Sequence, residues 1–332
     1  MLFRETAKTT AMKLQLLKSQ GSGNDFFLID IRPFETELTS EMKRDLAIFL
    51  CNRDSAFGAD GILFVESSVA GDAKMIIYNA DGSEAKMCGN GIRIVGRYIA
   101  EDTNKPSVGI ENVTGEIFQL EAKNDFYEGL VAFELKFPQA NFDAKMIPLH
   151  ADTATVIDAV IPALDPQLRF TGLSLPNPHL VSFVDHMEES QLIAVGTLAN
   201  TSKAVLPNGT NINFGKVIDT DTIYVATFER GVGITFSCGT GMFATAVSAV
   251  KNGLVAADKW VTLLNKGGYT KCFINSDFSG KMIGNASYLY DANIDFDFKN
   301  LEIVTHESGK TYTEEIEAYD KLVEEANELS IT

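Results

Sequence analysis

The chain has 332 residues, with 45 acidic against 28 basic side chains and a net charge of −17. That excess disfavours nucleic acid and anionic membranes as partners, and no apolar run reaches the ~20 residues that cross a bilayer. At 45% hydrophobic and 22% charged residues, the composition is that of a soluble protein long enough for two packed domains.

The opening MLFRETAKTTAMK has no apolar segment of the kind a secretory signal carries, and Met12 offers a second start. A cytoplasmic location is the expectation. The four cysteines, Cys51, Cys88, Cys238 and Cys272, stand far apart, with no C-x-x-C pair and no zinc spacing. No metal is expected, and a reducing compartment keeps the thiols free.

Leu14 to Leu17 reads as a strand, Gly21-Ser22-Gly23-Asn24-Asp25 as a loop, and Phe26 to Ile29 as a second strand. Thr39, Glu41 and the apolar positions Met42, Leu46, Ile48, Phe49 and Leu50 predict a capped amphipathic helix. Gly58-Ala59-Asp60-Gly61 then leads into a strand over Ile62 to Val65. Lys74 to Tyr78 is a strand that delivers Asn79-Ala80-Asp81-Gly82-Ser83, and Asn79 lies nine residues before Cys88. Ile92 to Ala100 is helical and apolar on several faces, so it is enclosed by other structure. Short strands follow at Ser107 to Ile110, Glu116 to Glu121 and Leu130 to Phe137. Pro138 to Pro148 has no periodicity and reads as the crossing into the second half.

Leu180 to Val184 is a strand behind Pro176-Asn177-Pro178-His179, and Asp185 to Leu198 is partly helical. Asn211 to Phe214 and Thr222 to Phe228 are strands, and Glu229-Arg230-Gly231 leads on to Cys238. Met242 to Lys251 is again an enclosed helix, stopped at Asn252-Gly253. Strands over Trp260 to Leu264, Lys271 to Asn275 and Tyr288 to Ile294 follow. Thr313 to Leu329 is an acidic surface helix with no sign of chemistry.

Met87-Cys88-Gly89-Asn90-Gly91 and Ser237-Cys238-Gly239-Thr240-Gly241 share one grammar, 150 residues apart: an extended segment, Cys-Gly-X-Gly, then a helix. The first amides of a helix have no internal partner and carry the positive end of its dipole. A thiol placed there ionises more readily, and a bound carboxylate finds donors ready. A single such cysteine suits a buried structural role, a redox thiol or an acyl-transfer nucleophile. Two in equivalent halves suggest an acid and a base opposed across one substrate. If the two thiols face each other, oxidation to a disulfide would abolish function. Many short strands around one enclosed helix, twice over, predict an α+β fold of two similar halves with the site between them.

GSGNDFF (21–27), GADG (58–61), YNADGSEAKMCGNG (78–91), NPHLV (177–181), NGTNINFG (208–215) and FERGVGITFSCGTG (228–241) together resemble the diaminopimelate epimerase family, over most of residues 14–295. The resemblance implies two pseudo-symmetric domains, each with mostly antiparallel strands around a central helix. They would be 1–135, carrying Cys88 and rejoined by 286–332, and 136–285, carrying Cys238. It implies epimerisation of LL- to meso-diaminopimelate without pyridoxal or metal, for lysine and peptidoglycan precursors. Cys88 would deprotonate the L centre and Cys238 reprotonate it, with the amides of Gly89, Asn90, Gly239 and Thr240 on the α-carboxylate. Asn24, Asn79, Asn177 and Asn211 would line the substrate. Arg230 would take the distal carboxylate and Glu229 the distal ammonium, and His179 would tune the site. A homodimer is plausible by resemblance alone. Read without it, the asparagines are turn caps, Glu229 and Arg230 a surface ion pair, and His179 a packed side chain.

Gly61 stands where the family often has Gln, and Ile234 where it usually has Glu. Both bear on substrate choice. The alternatives are a racemase of another amino acid, such as histidine, and a non-catalytic amino-acid-binding relative.

Overall fold

The computed structural model describes residues 11–35, 37–147, 149–150, 153–175 and 177–331. The opening segment through residue 10, and Pro148 and Pro176 within their predicted loops, lie outside the described residues. The fold is α+β, with nineteen strands and five α-helices among the described residues.

The first half begins with strands β1 (Ala11–Gly21) and β2 (Asn24–Asp30), joined by a two-residue turn. Ser22 and Gly23 take φ of 54° and 81° there, the left-handed conformations that tight hairpins require. Asn24 and Asp25 therefore belong to a strand, not to the expected loop. Helix α1 (Ser40–Leu50) is capped by Thr39, whose hydroxyl accepts from the Met42 amide at 3.2 Å. Strand β3 (Gly61–Glu66) runs parallel to β2, and β4 (Ala73–Asn79) antiparallel to β3. Strand β5 (Glu84–Ala85) folds back on β4, and helix α2 (Gly89–Thr103) follows. Strand β6 (Ser107–Glu111) lies parallel to β4, followed by β7 (Ile117–Lys123) and β8 (Ala132–Phe137).

The second half opens on β9 (Ala159–Ile161) and then repeats that plan. Strand β10 (Asp165–Ser174) pairs antiparallel with β11 (Pro178–Phe183), helix α3 (Glu189–Thr201) follows, and β12 (Asn211–Val217) runs parallel to β11. Strand β13 (Thr222–Glu229) is antiparallel to β12, and β14 (Gly233–Thr235) folds back on it before helix α4 (Gly239–Lys251). Strand β15 (Trp260–Asn265) is parallel to β13, with β16 (Gly268–Ile274) and β17 (Gly280–Asn285) beyond. The halves join where β8 pairs antiparallel with β17, Leu135 opposite Met282. Strand β18 (Ser287–Asp297) returns to the first half beside β1, Leu14 opposite Ile294, and carries β19 (Glu302–Thr311) on its outer edge. Helix α5 (Thr313–Ile331) closes the chain.

One apolar core runs through both halves, from Ile92, Val95 and Ile99 of α2 to Phe243, Ala246 and Val247 of α4. Phe137 of β8 stacks on Phe243, ring centroids 4.2 Å apart, so the seam between the halves is packed as an interior. Each central helix is apolar on most faces because strands surround it. Both helices begin immediately after their cysteines, earlier than the apolar pattern alone suggests. Strands β9, β10, β17 and β19 were not expected. Strand β19 is mostly exposed and held by main-chain pairing to β18, so it carries no apolar alternation to read. The acidic helix is anchored, not free-lying: Glu315 takes both guanidinium nitrogens of the buried Arg97 on α2, at 2.5 and 2.8 Å.

Candidate active site

Each cysteine is the N-cap of its central helix. Cys88 has extended φ,ψ of −141°, 116°, and its sulfur accepts from the Gly91 amide at 3.4 Å. Cys238 has −110°, 108°, and its sulfur accepts from the Gly241 amide at 3.4 Å. Extended caps turn both sulfurs back over the open amides of the first turn. The glycines allow this closeness. A Cβ on Gly91 would stand 2.8 Å from Leu63, and one on Gly241 2.4 Å from Asn213 Oδ1.

The two helix starts touch. A Cβ on Gly89 would lie 3.6 Å from the Gly239 Cα, ordinary contact distance. Asn90 ties the halves together, its Nδ2 donating to the Ser237 carbonyl at 3.1 Å. Two positive helix ends thus converge on one place, each with a thiol at its tip.

The remaining predicted residues divide in two groups. Asn24 reaches Cys88: its Oδ1 accepts from the thiol at 3.6 Å, while its Nδ2 donates to Asp60 at 2.6 Å. Asp60 is bound by Arg53, so the orientation of Asn24 is set from behind. Asn177 donates to Thr240 Oγ1 at 3.0 Å, and its buried Oδ1 has no partner. Thr240 Oγ1 lies 3.5 Å from the Cys238 sulfur. Glu229 accepts from Thr235 at 2.6 Å and stands beside Cys238, whose thiol it helps to raise. Asn211 Oδ1 accepts from the Arg230 backbone amide at 2.8 Å. The exposed Arg230 guanidinium donates to the Asn208 carbonyl. Among the described residues Glu229 and Arg230 form no ion pair with each other. Asn79 stands apart, its Nδ2 donating to Ser83 within its own turn at 3.0 Å.

His179 is fully buried between β10 and β12. Asn213 Oδ1 accepts from Thr227, so its Nδ2 donates to His179 Nδ1 at 3.1 Å and the ring proton falls on Nε2. That Nε2 has no partner. Burial, with Arg230 adding to it, holds the imidazole down to about 3, so it is neutral at physiological pH.

Burial pushes both thiols up from their ordinary value. Glu229 adds to the rise at each, and at Cys238 it also takes the thiol hydrogen bond. The Gly91 and Asn90 amides and the Arg93 guanidinium pull Cys88 back down, while Thr240 and Gly241 do so for Cys238. Burial likewise raises Glu229, against its bonds from Thr235 and Cys238.

Both departures have local causes. A Cβ at Gly61 would sit 2.5 Å from the Tyr78 carbonyl oxygen, so the strand pairing leaves no room for a side chain on this backbone. Ile234 packs into the apolar core beneath α3. Three residues of the site escaped the sequence reading. Asn213 sits two along a strand from Asn211, and period-2 alternation could have found it. Asp60 and Arg93 gave no such signal. A groove of about 790 Å³ beside β1 and β18, lined by Asp30, Tyr98, Tyr288 and Asp291, holds none of the predicted site residues.

A family model described as diaminopimelate epimerase matches residues 16–134 and 173–289. The diaminopimelate epimerase of Clostridium acetobutylicum is 39% identical over 317 residues, spanning 94% of this chain and 95% of that protein. That of Enterococcus faecalis is 37% identical over 288 residues, spanning 83% and 87%. Among solved structures, a phenazine biosynthesis protein of the PhzF family from Bacillus anthracis shares the fold. Its TM-score is 0.62 at 16% identity, covering 85% of this chain and 99% of that one.

Proposed function

The chain belongs to the diaminopimelate epimerase family, and from that premise we propose how it works. It is an isomerase that interconverts LL- and meso-2,6-diaminopimelate, a step of lysine biosynthesis. Cys88 and Cys238 carry the proton transfer. The Cys88 thiolate takes the α-proton of the L centre: the Cα–H bond breaks and an S–H bond forms. The Cys238 thiol then gives its proton to the opposite face, leaving its sulfur as thiolate. The reverse reaction exchanges the roles, and proton exchange with solvent resets the pair.

The carbanion is the costly species. The amides of Gly89, Asn90, Gly239 and Thr240 hold the α-carboxylate and face the charge that develops on it, electrostatic stabilisation already in place before reaction. Arg230 takes the distal carboxylate in a fork, and Glu229 the distal ammonium. Asn24, Asn177 and Asn211 line the chain of the substrate, Asn79 joins them by leaving its bond to Ser83, and the unpartnered Asn177 Oδ1 waits for a donor. His179 stays neutral and tunes the site without moving the proton. Substrate closed over by the two helix starts would be shielded from water, which keeps a carbanion from quenching.

The observation that carries this reading is the convergence of two cysteine-capped helix N-termini at Gly89 and Gly239. The test is α-proton exchange of LL-diaminopimelate in deuterated water, by the full chain, under reducing conditions and after dialysis against a chelator, with no pyridoxal added. No exchange would sink the assignment. We divide the chain at residues 135 and 136, with 286–332 rejoining the first domain, a division supported by the β8–β17 seam and the β1–β18 pairing. We also place it in the cytoplasm as a homodimer, which light scattering tests. No helix among the described residues is long and apolar enough to cross a membrane.

A further inference from the structure

Arg93 is the largest fully buried side chain among the described residues. Its guanidinium bonds only neutral groups: the Asn285 carbonyl at 3.2 Å, the Gly89 carbonyl at 3.3 Å, Ser22 Oγ at 3.1 Å and Asn90 Oδ1 at 3.0 Å. Among the described residues no carboxylate pairs with it. A buried cation without an anion is costly, so its presence in the first turns of α2 needs a reason. Its socket is moulded to it. A Cβ on Gly284 would stand 2.9 Å from the guanidinium carbon, and one on Gly21 3.3 Å from a terminal nitrogen. The group that can supply the missing negative charge caps the same helix: Cys88, once ionised. The corresponding position of α4, 150 residues on, is Phe243, stacked on Phe137. The second thiol therefore has no such cation and faces a carboxylate instead.

We propose that Arg93 is the buried counter-charge of Cys88, a positioning residue that makes Cys88 the more readily ionised of the two thiols while Cys238 keeps its proton against Glu229. This deepens, and rests on, the reading of the two cysteines as a base and an acid. Burial lowers the guanidinium only to about 10, so it is charged at neutral pH. The groups facing Cys88 are Glu229 from β13, which opposes ionisation, and Arg93, which favours it. Cys272 of β16 also faces Arg93, but burial holds its thiol far above its ordinary value and so neutral. Through Asn90 Oδ1 the same guanidinium fixes the side chain that spans the two halves.

The test is the pH dependence of iodoacetamide alkylation at each cysteine, read by peptide mass spectrometry on the reduced full chain without substrate. The pH midpoint is compared, not the rate, since burial slows both sites. In the unaltered protein the Cys88 midpoint lies below that of Cys238. Arg93→Met raises the Cys88 midpoint by about one unit or more, the effect of losing a close opposite charge, and leaves Cys238 unmoved. Arg93→Lys restores most of the shift. Gly284→Ala displaces the charge without removing it and gives a smaller rise in the same direction. If Arg93→Met does not fold, the order in the unaltered protein and the Gly284→Ala shift decide. Cys238 ionising first, or a Cys88 midpoint unchanged in the folded variants, overturns the proposal. Loss of diaminopimelate exchange with the Cys88 order intact would overturn the substrate reading and leave the role of Arg93 standing.

Discussion

Helices α2 and α4 hold the same place in the two halves, yet they are packed around different chemistry. Buried in α2 are Arg93 and Arg97. At the corresponding places α4 has Phe243 and Val247, both in the apolar core. The cap geometry is nearly duplicated, down to a 3.4 Å bond from the third amide to each sulfur. What differs is the charge near each sulfur. Glu229 bears on both, but Cys88 also has Arg93 to oppose it, whereas Cys238 has only Thr240 and the Gly241 amide. A duplicated scaffold supplies two opposed thiols, but proton transfer across one carbon needs them unequal, one empty and one loaded. Divergence of charge on a common cap achieves that without disturbing the fold.

Removing either sulfur is the strongest way to break the comparison. Cys88→Ser and Cys238→Ser should each lower α-proton exchange by about 10³-fold, the middle of the range for a general acid or base. If one of them retains full activity, the halves do not share the reaction. Next in size is the cost of the charged packing itself. Arg97→Met leaves Glu315 without its cation and should cost about 3 kcal/mol, whereas Val247→Ala at the matching place should cost about 2 kcal/mol from the small cavity left. Urea midpoints measure both. Equal costs would mean that charge and apolar packing are interchangeable here.

Arg230→Met should raise KM for diaminopimelate about tenfold or more, the value of a charge-assisted fork, with a smaller change in kcat. An unaltered KM would remove Arg230 from the substrate. The smallest effect concerns pH. The folded His179 is depressed to about 3 from an unfolded value near 6.5. Its contribution is complete above pH 6.5 and is lost as pH falls, because the unfolded chain takes the proton first. At pH 5.5 that loss is about 1.4 kcal/mol. A His179→Gln variant should lack this acid slope, whatever its stability at pH 8. Parallel slopes from pH 8 to 5.5 would show that His179 is not the group responsible.

Much of the site was legible in advance because it is local. Cys-Gly-X-Gly ahead of an apolar run specifies a cap, a turn and a helix within a dozen residues. Asn24, Asn90, Asn177, Thr240 and Glu229 were legible through motif resemblance: Asn24 and Thr240 contact a cysteine, Asn90 bonds Asn24, Asn177 bonds Thr240, and Glu229 stands beside Cys238. Asn79 was read in the same way, yet its side chain bonds within its own turn. Glu229 and Arg230 are neighbours in sequence whose side chains part, since Glu229 ends β13 while Arg230 opens the turn beyond it and reaches back to the Asn208 carbonyl. Strand β19 left no apolar pattern, being held by main-chain bonds, and the docking of α5, through buried Ala318 and Leu322 and an Arg97–Glu315 ion pair across more than two hundred residues, has partners that no local spacing names.

By itself the sequence determined that the chain folds twice over one plan, that each plan is built around a cysteine-capped helix, and which family the motifs resemble. Those are consequences of short-range order: glycine freedom, open amides and apolar spacing. Only the tertiary structure decided that the helix starts touch, that Arg93 is sealed in without a carboxylate, and that Glu229 turns toward Cys238. Such contacts join residues up to 192 positions apart, as between Arg93 and Asn285. Burial then sets the strength of every charge they bring together, because an ion's energy depends on what surrounds it more than on its neighbours along the chain.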